Sequence, residues 1–184
     1  METDRKELYD ELRKLFLTAN QVFLANDADL ITSGVSERGL CAALMCHLKD
    51  KINESQFRDY YVDVEYNRND GEVKTIMNNK MKIIPVTCDL IVHSRRKNVE
   101  QDNLLALEMK RSTHSEEEKV KDKERLKCLT RDSFNNIWGW NGTLPEHVCR
   151  YVIGIYYEID IANRAIKILY YRQGERMKPS KINF

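Results

Sequence analysis

Acidic side chains and a lysine lie within two apolar stretches between residues 84 and 112. In the second stretch, NLLALEMK, Glu108 and Lys110 are two residues apart. Alternate residues of a strand share a face, so these side chains would lie roughly 6.6–6.8 Å apart along it. If this strand pairs with the first stretch, VTCDLIVHS, Asp89 comes close to Glu108. Such a group of two acids and a lysine can hold a divalent metal ion and a water molecule.

The string Asp89 … Glu108-Met109-Lys110 resembles the signature of the PD-(D/E)xK nuclease-like superfamily, whose fold is restriction-endonuclease-like. In that family an aspartate lies at the end of one strand, and a Glu-x-Lys triplet lies on the next. A further glutamate often comes from an upstream helix, and Glu37 in the segment SERGLCAAL is the candidate here.

The resemblance covers about residues 36–172 of the 184. It implies one domain over residues 1–184, of the α/β (α+β) class, with a mixed central β-sheet flanked by helices and an added N-terminal helix. Pro85 lies four positions before Asp89 instead of next to it, so the first half of the motif is matched approximately. The implied activity is metal-dependent hydrolysis of phosphodiester bonds, by endo- or exonucleolytic cleavage, with DNA as the expected nucleic-acid substrate.

Mg²⁺ or Mn²⁺ is the implied cofactor, and such hard cations prefer oxygen ligands. The expected metal ligands are the carboxylates of Asp89 and Glu108 and the backbone carbonyl of Met109. Glu37 would orient a water of the metal or complete a second metal position. Lys110 would orient the attacking water or stabilise the charge that develops on the phosphate. The two carboxylates, Glu37 and Lys110 are therefore the expected catalytic residues.

Each of these residues also has a purely structural interpretation. Glu108 and Lys110 could form a salt bridge, which contributes little if exposed. Glu37 could be a first-turn carboxylate that interacts favourably with the helix dipole. His93 shares the face of Asp89 but lies roughly 13 Å along the strand, so it is either a substrate contact or a packing histidine. The whole domain could also be a catalytically inactive nucleic-acid-binding or scaffold module, because a fold does not by itself assign an activity.

Composition limits the partners and the setting. The formal net charge of +1 excludes a strongly basic footprint, so DNA binding would need local patches, a homodimer or a partner protein. The five cysteines form no CxxC pair, which is typical of free thiols in a reducing compartment and predicts a cytoplasmic protein. The chain has no run of 18 apolar residues, so no membrane span is predicted.

Hydrophobic periodicity and capping signals predict three helices and five strands. The predicted helices are 4–25, 36–51 and 115–129, and the predicted strands are 60–67, 86–94, 103–110, 151–159 and 165–171. Residues 72–82 are expected to be a loop, and the residues from Gly174 onward a tail. Parallel pairing of the strands on either side of helix 115–129 would require a crossover.

Three further groups allow two interpretations each. Asp63 and Glu65 could extend the acidic site or lie on a solvated strand face. The many lysines of helix 115–129 could face phosphates, or the acids of that helix could balance them in solvent. Trp138 and Trp140 could stack on exposed bases or pack a loop onto the core.

Overall fold

The computed structural model describes residues 2–69, 71–78, 80–133, 139 and 141–184. The helices in this part of the chain are α1 (Glu2–Asn26), α2 (Ala28–Thr32), α3 (Glu37–Asn53) and α4 (Glu116–Thr130). The strands are β1 (Tyr61–Val64), β2 (Arg68–Asn69), β3 (Glu72–Val73), β4 (Thr75–Met77), β5 (Ile83–Pro85), β6 (Leu90–His93), β7 (Asn103–Arg111), β8 (Ile153–Asp160), β9 (Ala165–Arg172), β10 (Glu175–Arg176) and β11 (Ser180–Asn183). The fold is mixed α/β of the α+β type, as the sequence predicts.

A mixed sheet of seven strands forms the centre of the described fold. Its order is β1-β6-β7-β8-β9-β10, and β11 also pairs with β9. Strands β7 and β8 are parallel, whereas their neighbours β6 and β9 pair antiparallel to them. Helix α4 connects the parallel pair, so the predicted crossover is confirmed.

Strand β7 is buried on both faces, and its side chains alternate between two cores. Leu105, Leu107 and Met109 pack in the core that contains residues of α1 and α3. Ala106 packs on the opposite face with Leu126 of α4. Glu108 and Lys110 follow Ala106 at a spacing of two, so they face α4 from an otherwise apolar strand.

The helices that border the site begin at the capping residues that the sequence predicts. Ser36 precedes α3, and its hydroxyl accepts a hydrogen bond from the Gly39 amide. Ser115 precedes α4 and forms a capping box with Glu118, in which each side chain bonds to the backbone amide of the other residue. These caps fix where Glu37 and the first turn of α4 stand relative to the sheet.

Several predicted boundaries were wrong. The expected loop at 72–82 contains β3 and β4, because the apolar pair Ile76 and Met77 is buried in a hairpin with β5. The expected tail contains β10 and β11, because the edge of β9 offers backbone groups for pairing. The strand expected at 60–67 is confined to β1.

Trp138 and Trp140 lie outside the described residues. Among the helices that are described, none combines the length and the apolar character that crossing a bilayer requires.

Removing the α4 capping box tests whether it holds the helix that faces β7. Ser115→Ala should lower the free energy of unfolding by about 1 kcal/mol, because it leaves the Glu118 backbone amide without its side-chain acceptor. Ser33→Ala is the control, since that exposed hydroxyl only donates to the Leu30 carbonyl near the end of α2. Urea denaturation of both variants and the wild type measures the difference. Equal midpoints and slopes for Ser115→Ala and the wild type would contradict this role.

Candidate active site

Glu37 is held at the first turn of α3 against the last residues of β7. Its Oε1 accepts a hydrogen bond from the Arg111 amide at 2.8 Å, and its Oε2 lies 3.5 Å from Lys110 Nζ. His114 Nε2 also lies 3.1 Å from Oε1 of Glu37. The carboxylate therefore has partners on the sheet, and its role is not limited to the dipole of its own helix. Sequence reasoning did not predict His114 at this position.

Asp89 lies directly before β6 and is anchored to β7. Its Oδ2 accepts a hydrogen bond from the Met109 amide at 2.7 Å. Leu90 pairs with Leu107 in the antiparallel β6–β7 ladder. Continuing that register by one residue places Asp89 opposite Glu108, so the predicted adjacency of the two acids is confirmed.

Glu108 is the most deeply buried member of the group. Its residue is 1% exposed, in the middle of the sheet. Its Oε1 accepts a hydrogen bond from Arg125 Nη1 of α4 at 2.8 Å, so its ion-pair partner is that arginine. The alternative interpretation, a salt bridge between Glu108 and Lys110, does not apply, because Lys110 Nζ turns to Glu37 and to Asp122, each 3.5 Å away.

Asp122 and Arg125 join the group from α4, and sequence reasoning missed both. Asp122 is buried, and Arg125 Nη1 lies 3.3 Å from its Oδ1. Its Oδ2 accepts no hydrogen bond from the described residues. The interpretation of α4 as a solvated helix with balanced charges was therefore wrong on one face. The spacing of Asp122, Leu126 and Leu129 would have placed the aspartate on the buried stripe.

The electrostatics of the group follow from burial and crowding of like charges. Burial raises the pKa of Glu108 to about 8; Arg125 opposes the shift, whereas Asp89 and Asp122 add to it. Burial also raises the pKa of Asp89, against the hydrogen bond from the Met109 amide. Burial lowers the pKa of Lys110, but Asp122 and Glu37 outweigh it and the net direction is upward. Proton and cation binding are thus both favoured here.

The donor set fits a hard divalent cation by its chemistry. Carboxylate oxygens are the ligands that Mg²⁺ and Mn²⁺ prefer, and the buried Oδ2 of Asp122 has Lys110 Nζ as its ion-pair partner at 3.5 Å. The metal site is not preformed. Within the described ranges, no three His, Cys, Asp or Glu side chains are grouped so that they could hold an ion. Glu108 is bonded to Arg125 instead. Met109 contributes its amide to Asp89, and its sulfur lies 3.7 Å from Cys41 Sγ in the core.

Other acids that the sequence left open lie elsewhere. Asp63 accepts two hydrogen bonds from Arg95 and lies 2.9 Å from His93 Nε2. Glu65 pairs with Arg38 at the surface. Neither acid extends the candidate site. His93 is 3% exposed and hydrogen bonded, which fits the packing interpretation.

Comparisons with known proteins return no match to this chain, whether with family models, curated proteins or solved structures. The case for a function therefore rests on the geometry of the site and on the motif.

The raised pKa of Glu108 predicts how stability changes with pH. Between pH 4.5 and 8 the folded protein keeps a proton on Glu108 that the unfolded chain has released, so stability falls as pH rises through this range. Glu108→Gln should remove this contribution, which is about 1 kcal/mol per pH unit. The free energy of unfolding should be measured by urea denaturation in EDTA at several pH values.

Glu117→Gln is the matched control, because Glu117 is exposed at the start of α4 and its carboxylate pairs with Lys121. It should leave the slope between pH 5 and 8 unchanged. Parallel stability curves for Glu108→Gln and the wild type would show that Glu108 does not hold the proton.

Proposed function

We propose that the protein is a metal-dependent nuclease that hydrolyses phosphodiester bonds, with DNA as its substrate. The observation that carries the proposal is the convergence of Glu37, Asp89, Glu108 and Lys110. These residues come from α3, the start of β6 and β7, and hydrogen bonds or ion pairs join them to one another or to the backbone of β7. Three elements distant in sequence have thus brought together the set that the motif requires.

The order of the elements also supports the proposal. From α3 onward the principal elements are a helix, three strands of the main sheet, a helix and a strand that returns parallel to the third. This is the helix–three strands–helix–strand core that the resemblance implies. Helix α1 is the added N-terminal helix and packs in the same core as α3.

Each side chain has a role in the proposed reaction. Asp89, Glu108 and Glu37 would hold Mg²⁺ or Mn²⁺ or its waters, together with the Met109 carbonyl, and Asp122 is an added candidate. The bound ion would supply Lewis-acid polarisation of the phosphate and a lower pKa for water. Lys110, held between Glu37 and Asp122, would orient the attacking water or stabilise charge that develops on the phosphate.

We also propose the binding partners and the cellular location of the protein. The near-neutral charge supports a requirement for a homodimer or a partner protein in DNA binding. The five cysteines are free thiols, which supports a reducing, cytoplasmic location.

A catalytically inactive nucleic-acid-binding or scaffold module is the second candidate. The hydrogen bond from Arg125 to Glu108 favours it, because the arginine already occupies a carboxyl oxygen that a metal would need. Under the nuclease proposal, metal binding displaces this arginine. Under the module proposal, the ion pair is permanent and no divalent ion binds.

Metal binding should depend on Asp89. Asp89→Asn keeps an oxygen that can accept the Met109 amide, so the fold should persist while a charged ligand is lost. Titration calorimetry with Mn²⁺ should show binding to the wild type and none to this variant. Asp29→Asn, an exposed residue at the start of α2, is the control and should bind as the wild type does. Equal affinity in wild type and Asp89→Asn would exclude the proposed metal site.

Loss of Lys110 should slow cleavage without abolishing metal binding. Lys110→Ala should lower the single-turnover rate by about 10²–10³, by analogy with the removal of one oxyanion donor. DNA binding measured in Ca²⁺ should change far less than the rate. Lys110→Arg should restore little activity, because its planar fork differs in geometry from a compact ammonium.

The control is Lys121→Ala, an exposed lysine that pairs with Glu117 on the same helix as Asp122. It should cut at the wild-type rate. Unchanged cleavage in Lys110→Ala would remove this lysine from the mechanism. The binding module would be favoured if the wild type, with Mg²⁺ or Mn²⁺, cleaves none of the supercoiled, linear and single-stranded substrates.

A further inference from the structure

A second group of charged residues lines a cavity at the opposite end of β6 from Asp89. The cavity has a volume of about 290 Å³. Asp89 precedes β6 and His93 ends it, so the two places are roughly 13 Å apart along the strand. The side chains of the cavity that carry the argument are Tyr66, Arg68, Lys74, His93, Arg95 and Arg96. Most of them are cationic, and the carboxylate of Asp102 also lines the cavity.

Lys74 is the unusual member of this group, because it is a buried lysine that forms no ion pair with a carboxylate among the described residues. Its residue is 2% exposed. Its ammonium donates a hydrogen bond to the Tyr151 hydroxyl at 2.8 Å and lies 5.7 Å from the centre of the Tyr66 ring. Among the described residues, Asp102 and Asp63 act on it only through the longer-range field, and burial lowers its pKa.

An ammonium group has three donors, and the Tyr151 hydroxyl accepts one bond from it. A buried ammonium without a counter-ion destabilises the fold as long as it keeps its charge, and an anion bound in the adjoining cavity would remove that cost. The backbone holds Lys74 in place from both sides. Its amide donates to the Asn67 carbonyl at 2.7 Å, and its carbonyl accepts from the Val86 amide at 2.9 Å.

Two arginines enter the cavity from a turn with an uncommon backbone. Arg95 and Arg96 have φ angles of 53° and 67°, in the left-handed region that asparagine and glycine usually occupy at such turn positions. Asp102 Oδ1 holds the turn by accepting from the Arg96 amide at 2.7 Å and from the Ser94 hydroxyl at 2.6 Å. The chain thus maintains a strained turn that carries two cationic side chains.

The side chains of this turn are fixed by their own partners. Arg95 stacks on the Tyr61 ring at 4.1 Å and binds both oxygens of Asp63. Arg96 Nη1 donates to Asn69 Oδ1 at 2.8 Å. Both guanidinium groups line the cavity, and a guanidinium is a rigid planar fork whose geometry suits phosphate oxygens.

We propose that this cavity binds a phosphate group, with Lys74 as its buried anchor and Arg68 and Arg96 as the outer cations. Lys74, Arg68 and Arg96 reach the cavity from different segments of the chain, and a tetrahedral phosphate can accept hydrogen bonds from several directions. The volume of the cavity, about that of ten water molecules, leaves space for a group attached to the phosphate. The source of the phosphate is either the free ion or the terminal phosphate of a nucleotide or nucleic-acid strand. The inference does not depend on the proposed nuclease activity.

Inorganic phosphate should stabilise the wild type beyond the effect of NaCl at the same ionic strength. A ligand that binds only the folded state raises the melting temperature, here by about 5 °C or more near saturation. Lys74→Met keeps the length and apolar stem of the side chain but removes the charge, so it should abolish this shift. Lys51→Met is the control, a partly buried lysine of α3 that pairs with Glu54, and it should respond as the wild type does.

Arg68→Ala gives a second result that does not depend on the folding of the Lys74 variant, because Arg68 is exposed. It should weaken phosphate binding about tenfold, the weight of one charged hydrogen bond. A wild type that responds to phosphate no more than to NaCl would overturn the proposal. A phosphate shift that persists unchanged in both Lys74→Met and Arg68→Ala would overturn it equally.

Two further comparisons identify the source of the phosphate and separate the two sites. Oligonucleotides with a 5′-phosphate, a 3′-phosphate or no terminal phosphate should be titrated beside inorganic phosphate and a nucleoside monophosphate. Tighter binding of a phosphorylated end than of the free ion assigns the cavity to nucleic-acid ends, and the reverse assigns it to a small anion. Asp89→Asn should retain the phosphate response, so failure of the metal site and failure of this cavity give different results.

Discussion

The burial of Glu108 in the central strand is the constraint on which the rest of the site depends. A carboxylate that is 1% exposed must be neutralised by a proton, by an arginine or by a metal ion. Arg125 supplies the charge across the gap between sheet and helix at 2.8 Å. That contact fixes the face of α4 that meets the sheet, and with it the position of Asp122. The same contact competes with metal binding. Glu108 therefore contributes both to the packing of α4 on the sheet and to the proposed metal site.

The elements around this strand could largely be predicted from the sequence. Alternation in NLLALEMK placed Glu108 and Lys110 on one face, and the strand before it placed Asp89 beside them, because local periodicity determines both. The position of Glu37 required the motif as well, since no local signal says which helix meets the end of β7. Asp122 could have been selected from its spacing with Leu126 and Leu129, whereas Arg125 could not be distinguished from the many other charges of α4 without knowing that it reaches Glu108.

Other prediction errors also arose because the sequence does not show which distant segments pack together. The short strands β4 and β11 depend on partners that are distant or exposed, and neither has enough residues for a clear alternation. The cavity at Lys74 combines residues that lie between Tyr66 and Val148 in the sequence, so its excess of positive charge becomes visible only in the folded structure. The sheet therefore carries an anionic group near one end of β6 and a cationic cavity near the other. This separation of charge suits recognition of a polyanion with cleavage at a separate point, as an extension of the two proposals.

Under the nuclease proposal, the carboxylates around Glu108 exchange a proton for a divalent ion. Calorimetry of Mn²⁺ binding at pH 7, repeated in two buffers of different ionisation enthalpy, tests it most directly. With a pKa of about 8, Glu108 is mostly protonated at pH 7 and must release that proton to bind a metal. The account predicts binding with release of close to one proton, and loss of that release in Glu108→Gln. Absence of binding, or binding with no proton release, would contradict it.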